Sequence, residues 1–294
     1  MMMGRPGPLR LSLLMSLGIA AVSCGAVLVR LAEAPALAVA TYRVAWATFL
    51  LAPLVMSGPG REFRSNTWRD WRNLVFAGVA LALHFALWIA SLSYTSVASS
   101  VLLVDTAPFF IGIASQWLLR RPCGRDFWAG LTVAFLGCVV VFHGDWSESS
   151  VSSRGNLLAL GGAVAMAVYL MIGSTARRKH SLLAYVWPVY CTAALTLGAA
   201  AAIAGVPLRG LPARTHLFMF LVGLVPQCIG HTTYNWSLRW LPPGLVALIG
   251  LAEPVGASLL AYFILNEGLT VGKGLGGCLI LFGIYLATAR RAGK

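Results

Sequence analysis

Hydrophobic residues along the chain fall into ten runs of about 20 residues, the length that crosses a bilayer as an α-helix. The runs lie near 11–30, 37–56, 73–92, 97–119, 126–143, 156–175, 182–205, 216–238, 243–265 and 271–289. The connections between the runs are short, which leaves no room for a folded domain outside the membrane. The pattern therefore predicts an all-α integral membrane protein with ten transmembrane helices.

Two stretches of the chain repeat each other at an offset of 146 positions. Ser91, Leu92, Tyr94 and Pro108 align with Ser237, Leu238, Trp240 and Pro254, and Gly130 and Gly137 align with Gly276 and Gly283. We therefore predict two five-helix repeats, at residues 1–146 and 147–294. Because each copy holds an odd number of spans, the second copy must cross the membrane with inverted topology.

Composition supports a membrane protein. Hydrophobic residues make up 59% of the chain and charged residues 11%, and the mean hydropathy is +0.80. An ordinary soluble domain has roughly a quarter charged residues. The net charge of +13 could indicate a nucleic-acid partner in a soluble protein, but here it predicts contact with the inner leaflet of the lipid bilayer and no nucleic acid.

The distribution of Lys and Arg predicts the orientation. With the N-terminus inside, sixteen of these residues lie on the inner side and five on the outer side. The positive-inside rule therefore predicts that both termini are cytoplasmic, in a multi-pass protein of the cell inner (plasma) membrane. The loops at Arg64, Arg120 and Arg178 should then lie inside, and those at Asp145 and Arg209 outside. Aligned turns differ in charge as inversion requires, since Arg120 aligns with the neutral residue at position 266.

The six cysteines are expected to be free thiols. Five lie in predicted spans and one in a predicted inner loop, and no Cys-x-x-Cys or Cys/His spacing typical of a metal site occurs. Motifs for a hydrolytic active site are also absent from the sequence, so no catalytic residue, metal or cofactor is predicted.

Two long stretches resemble the halves of EamA-type permeases of the drug/metabolite transporter superfamily. The first is SLSYTSVASSVLLVDTAPFFIGIASQWLLRR, followed by GLTVAFLGCVVVF; the second is SLRWLPPGLVALIGLAEPVGASLLAYFILNEGLT, followed by LGGCLILFGIYL. The second span, APALAVATYRVAWATFLLAPL, is similar as well. The resemblance implies a ten-helix inverted repeat, a central cavity and transport of small metabolites, often export of amino acids. The Glu that the family usually has after the fourth span is Arg121 here, whereas the second copy keeps Glu267.

Ionisable residues inside spans mark the candidate binding site, because they are costly at membrane depth unless they face a cavity or a partner. Asp105 and Glu253 occupy nearly equivalent places in the two repeats, each just before a proline that removes a helix hydrogen bond and is a candidate hinge, Pro108 or Pro254. Carboxyl groups at such positions can carry protons across membranes, so both residues are coupling candidates. Arg43 is interpreted as a structural counter-ion, with snorkelling or binding of a substrate carboxylate as alternatives.

Aromatic and polar side chains should line the same cavity from matching helices. His84 and Trp88 share one face of the third span, and His231, Tyr234 and Asn235 share a face of the eighth. Trp88 aligns with Tyr234. Ordinary helix packing is the alternative for all five residues.

These features favour a secondary transporter that exports small amphipathic metabolites by alternating access. The expected partners are a small-molecule substrate, the lipid bilayer and protons as the candidate coupling ion. An uncoupled permease or channel, or an intramembrane enzyme, are the alternatives. The sequence fixes neither the cargo nor the oligomeric state.

Overall fold

A computed structural model describes residues 6–95, 97–118, 120, 122–143, 152–265 and 270–289. These residues form helices and connecting turns, without strands. The helices are α1 (Pro8–Ala32), α2 (Ala36–Met56), α3 (Gly60–Arg64), α4 (Trp68–Ser91), α5 (Val97–Val104), α6 (Ala107–Trp117), α7 (Arg125–His143), α8 (Ser153–Ala176), α9 (Leu182–Ile203), α10 (Ala213–Val222), a π-helical segment (Gly223–His231), α11 (Thr232–Ser237), α12 (Pro243–Gly250), α13 (Glu253–Leu265) and α14 (Val271–Ala289).

The prediction of ten spans in an all-α membrane protein is confirmed. Nine spans in the described residues are long and apolar enough to cross a membrane. The nineteen-residue helix α7 supplies the tenth, packed along the whole of α14. Three spans are composite: α5 with α6, α10 with the π-helical segment and α11, and α12 with α13.

Local sequence signals set several helix starts. Thr67 and Asp70 form a capping box at the start of α4, in which each side chain bonds the backbone N–H of the other. Ser181 caps α9 by accepting from the N–H of Ala184. Pro8 begins α1, where its missing N–H removes no intrahelical hydrogen bond. The sequence next to each of these spans therefore determines where its helix begins.

Contacts between helices obey the two-fold relation between the repeats. Helix α4 packs on α8, and the equivalent π-helical segment packs on α1; α2 packs on α9, and α7 on α14. In the last pair Gly130 approaches Gly283, whereas Gly137 approaches Gly276, so these equivalent helices run antiparallel. Antiparallel packing of repeat-equivalent helices is what inverted topology requires, and the predicted inverted repeat is confirmed.

Loops meet on two opposite faces of the bundle. On one face the loop before α4 bonds to the loop between α8 and α9: Asn66 Oδ1 lies 2.9 Å from His180 Nε2, and Glu62 accepts from the N–H of Ser181 at 2.8 Å. Lys179 forms an ion pair with Asp70 beside them. On the opposite face the Arg154 guanidinium lies 4.4 Å from the ring centre of Tyr94. The first face carries the loops that the charge count predicts to be cytoplasmic.

Candidate functional site

A cavity of about 80 Å³ lies where the two repeats meet, and we call it the central cavity. Both repeats contribute to its lining, and so do all three composite spans. Its walls are Val22, Gly25, Arg43, His84, Phe85, Trp88, Val101, Val104, Asp105, Ala107, Pro108, Met166, Leu170, His231, Tyr234, Ala247, Gly250, Leu251 and Glu253. This space accommodates a few water molecules and is well below the volume of about 300 Å³ at which ligand pockets begin.

The two carboxyl residues lie at the interruptions of the fourth and ninth spans. Helix α5 ends at Val104 and α6 begins at Ala107, so Asp105 occupies the turn between them. Helix α12 ends at Gly250, and Glu253 begins α13. Pro108 and Pro254 thus lie in the first turn of a new helix, where the missing N–H is tolerated. Each of these spans is therefore broken into two helices beside its carboxyl residue, and the hinge role of the prolines stays a prediction.

A row of rings crosses the site from one repeat to the other. The His84 and Trp88 rings lie nearly parallel, 6.1 Å apart between centroids with an interplanar angle of 7°. His84 is 6.4 Å from His231, which is 6.0 Å from Tyr234. His84 Nδ1 lies 3.0 Å from the carbonyl oxygen of Gly162, which holds the ring in place. The flat and apolar faces of this row suit a solute with an apolar or ring-shaped body.

Arg43 is buried in the centre of the molecule. Only 2% of its surface is exposed, which excludes the snorkelling alternative. Its Nε donates to Gln227 Oε1 at 2.7 Å, and its guanidinium lies 4.1 Å from the centre of the Phe85 ring. The side chain is thus held by an amide and an aromatic face while it lines the central cavity. Whether it acts as a counter-ion stays a prediction.

Four polar atoms on residues that line this cavity have no hydrogen-bond partner among the described residues. They are Trp88 Nε1, Asp105 Oδ2, His231 Nδ1 and Tyr234 Oη. Nearly all buried polar groups in folded proteins are paired, and an unpaired one costs about 1–3 kcal/mol. Trp88 Nε1 is a hydrogen-bond donor, Asp105 Oδ2 is an acceptor when ionised, and His231 Nδ1 and Tyr234 Oη can be either. All four atoms are therefore available to water, an ion or a polar solute.

Seven of the predicted site residues line the central cavity, as does the candidate hinge Pro108, and two further predicted residues, Asn235 and Pro254, lie outside its lining. His84, Trp88, Asp105, His231, Tyr234, Glu253 and Arg43 line the central cavity. Asn235 is fully buried beside it and donates to Tyr169 Oη at 2.5 Å and to the carbonyl oxygen of His231 at 2.9 Å. Pro254 lies next to Glu253 but outside the lining. The binding roles of all these residues stay predictions.

Gln227 and the π-helical segment were not foreseen. The segment contains Pro226 and is bounded by two close helix contacts, since Gly223 lies against Trp46 and Gly230 against Val22. Gln227 lies in this segment and accepts the hydrogen bond from Arg43. A polar residue beside a proline in the middle of a span was the available signal, but Gln227 carries no ionisable group that would mark it. π-Helical turns within α-helices are often found at functional sites.

Some expectations fall outside the described residues. These are the charge differences at Arg121, Asn266 and Glu267, the location of Asp145, and the boundary between the repeats at 146 and 147. In the described part of the chain, no cluster of His, Cys, Asp or Glu side chains could hold a metal ion.

Comparison with known proteins agrees with this architecture. A solved crystal structure superposes with a TM-score of 0.77 at 20% identity, covering 96% of this chain and 98% of the other, which shows the fold. The uncharacterized transporter YwfM of Bacillus subtilis (strain 168) is 26% identical over 242 residues, 78% of this chain and 77% of its own. An uncharacterized transporter of Archaeoglobus fulgidus is 27% identical over 263 residues, 87% and 89% of the two chains.

A riboflavin transporter of Rhizobium johnstonii is 30% identical, but over only 83 residues, 28% of this chain and 27% of its own. The EamA-like transporter family matches the chain twice, at residues 10–143 and 153–289. The two matches cover nearly the whole chain, one for each repeat. The protein therefore belongs to the EamA-like transporter family and is a multi-pass membrane transporter.

Proposed function

We propose that this protein is a secondary active transporter that moves small amphipathic metabolites, amino acids or related compounds, by alternating access, and that it exports them. The central cavity between inverted repeats carries this proposal, because it combines two carboxyl groups, a buried arginine and a row of rings. Inverted-repeat transporters bind their substrates near the middle of the membrane, at the interface between the repeats and beside broken helices. The site described above has that location and those breaks.

The chemistry of the lining fits a zwitterion with an apolar body. Arg43 can bind a carboxylate, and Asp105 and Glu253 can bind an ammonium group or a proton. The rings of Trp88 and Tyr234 can pack on the rest of the solute. At about 80 Å³ the cavity is too small for such a solute, so alternating access would include a state in which it is wider.

Protons are the proposed coupling ion. Asp105 and Glu253 lie at breaks in two repeat-equivalent spans, and intramembrane carboxyl groups of pumps and transporters commonly relay protons. A facilitative permease without coupling is the second candidate. It would use the same central cavity but would not move substrate against a gradient. We further propose a location in the cell inner membrane with both termini cytoplasmic.

Flux into proteoliposomes tests the proposal. The purified protein is first screened with amino acids and related amphipathic compounds for ligands that raise its melting temperature. The best ligand is then radiolabelled, and its uptake is measured with and without unlabelled ligand inside the vesicles. Saturable uptake that is accelerated by internal ligand indicates a carrier. Uptake linear in concentration would indicate a channel, and chemical conversion of the ligand would indicate an enzyme. Either result would refute the transporter mechanism proposed here.

A further inference from the structure

A second and larger cavity opens on the predicted cytoplasmic face. Its volume is about 390 Å³, and we call it the vestibule. The loop before α7, the end of α8, the loop between α11 and α12, and the end of α14 surround it. Cys123, Phe127, Ser174, Arg178, Arg239 and Trp240 are among its walls. Unlike the central cavity, the vestibule lies within the range of about 300–1,000 Å³ that is typical of sites for small organic ligands.

The vestibule leads towards the central cavity. Leu170 lines the central cavity and Ser174, one turn further along α8, lines the vestibule. On α12, Ala247 lines the central cavity and Gly244, about one turn away, lines the vestibule. The two cavities are thus successive spaces along the same pair of helices, both from the second repeat.

Tightly packed apolar side chains lie at the α12 wall of the vestibule, where Phe127 and Gly244 line it. At Gly244 a Cβ atom would lie 3.1 Å from the Phe127 ring and 3.5 Å from Ile111 Cγ2, so both side chains rest against bare backbone. Ile111 is fully buried and Phe127 is 7% exposed. This wall of the vestibule is therefore apolar and closely packed.

Positive charge is concentrated around the vestibule. Arg178 and Arg239 line it, and within the described residues neither forms an ion pair or a side-chain hydrogen bond. Burial, and to a lesser extent the nearby charge of Arg239, lowers the pKa of Arg177 to about 10, which leaves that guanidinium charged at neutral pH. Asp126 also contributes to the walls. The walls otherwise include the apolar surfaces of Phe127 and Trp240.

We propose that the vestibule is a second solute site, which binds a small amphipathic carboxylate before it reaches the central cavity. Arg178 and Arg239 bind the carboxylate, because guanidinium groups pair with carboxylates through charge-assisted hydrogen bonds. Phe127 and Trp240 cover the apolar part. The place of this site on a transport route rests on the proposed function, whereas carboxylate binding in the vestibule does not.

Cys123 provides a reporter inside the vestibule. The purified full-length protein in detergent is treated with N-ethylmaleimide, and alkylation of each cysteine is measured by peptide mass spectrometry. The probe is N-acetyl-leucine, and the control compound is N-acetyl-leucinamide, which has the same apolar body and no carboxylate. The internal control is a cysteine introduced by Arg64→Cys, on α3 at the same face of the protein but outside the vestibule walls. We expect N-acetyl-leucine to slow alkylation of Cys123 and not of the cysteine at position 64, and the amide to have little effect.

Substitutions then assign the protection to the arginines. Arg178→Gln and Arg239→Gln should each raise the half-protecting concentration of N-acetyl-leucine about tenfold or more, since each removes a charge-assisted hydrogen bond. Arg64→Gln removes a positive charge from α3 on the same face but outside the vestibule, and it should have no effect. An unchanged melting temperature without probe shows that a variant has kept its fold.

Four outcomes would overturn the proposal. They are equal protection by the acid and the amide, no protection by either, protection that survives both arginine substitutions, and protection lost in Trp88→Ala, which would place the probe in the central cavity. Vesicles of phosphatidylglycerol, compared with phosphatidylcholine, test the lipid alternative: protection by phosphatidylglycerol alone would make the vestibule a lipid headgroup site. Protection of Cys123 without saturable flux would instead refute the proposed function and leave the solute site standing.

Discussion

The contact between α7 and α14 gives a prediction that can be calculated from the structure. A Cβ atom added at Gly283 would lie 2.5 Å from the carbonyl oxygen of Gly130 and 2.8 Å from Ala134 Cα. Ordinary contacts of a Cβ atom are 3.4–4 Å, and both neighbours are backbone atoms that cannot rotate away. The substitution Gly283→Ala therefore requires the two helices to separate by roughly an ångström.

The expected cost follows from two opposing terms. Overpacking of a well-packed contact costs about 1–3 kcal/mol, and a clash with backbone belongs at the upper end of that range. Replacing a helical glycine by alanine gains about 1 kcal/mol in helix propensity. Gly274→Ala on the same helix gains the helix propensity without the overpacking, because a Cβ atom there meets nothing within 4 Å. We therefore expect Gly283→Ala to be about 2–3 kcal/mol less stable than Gly274→Ala.

The difference can be measured as a melting temperature in detergent, from the fraction of protein that remains monodisperse after heating. At about 2–4 °C for each kcal/mol, Gly283→Ala should melt roughly 4–12 °C below Gly274→Ala. The repeat relation adds a second test: Gly137→Ala meets the carbonyl oxygen of Gly276 at 2.7 Å and should cost a similar amount. Equal melting temperatures for Gly283→Ala and Gly274→Ala would refute the packing argument.

Three further predictions concern function and orientation. Asp105→Asn should retain exchange of substrate down its gradient and lose uphill transport driven by a pH gradient. Glu253→Gln should behave in the same way if both residues carry the proton. Uphill transport by Asp105→Asn at the parent rate would contradict proton coupling. Trp88→Ala should alter apparent substrate affinity in flux assays more than expression yield, because a cavity ring stacks on substrate; equal losses would favour a packing role. Single cysteines can replace Arg64 or Arg209 in a background without native cysteines. The cysteine at position 64 should react with an impermeant maleimide only after the cells are permeabilised, whereas the one at position 209 should react directly. The reverse result would invert the topology.

Much of the fold was predictable because a bilayer imposes a simple rule on the sequence. Backbone polar groups must be satisfied within each span, so a run of about 20 apolar residues predicts a helix. The internal repeat made the relation between the two halves predictable, since the offset of 146 positions aligns Gly130 with Gly276 and predicts equivalent contacts for both. The helix breaks beside Asp105 and Glu253 were signalled by the prolines that follow them.

The candidate site was only partly predictable. Ionisable and aromatic residues on matching spans could be found from the sequence, and seven of them line one cavity. Asn235 shares the helical face of His231, but its amide is taken up by Tyr169, which no spacing reveals. Gln227 was missed because it is not ionisable and because its contact with Arg43 joins residues 184 positions apart in the chain.

The sequence by itself determined the membrane class, the number of spans and the inverted repeat, because apolar length and internal repetition are properties of a single chain. Tertiary structure decided which side chains share a cavity and how large it is. It also decided that Arg43 is buried against Phe85 and Gln227 and does not reach the membrane surface. These features depend on the rotation of each helix about its axis and on its distance from its neighbours, and both are set by packing between residues far apart in the chain.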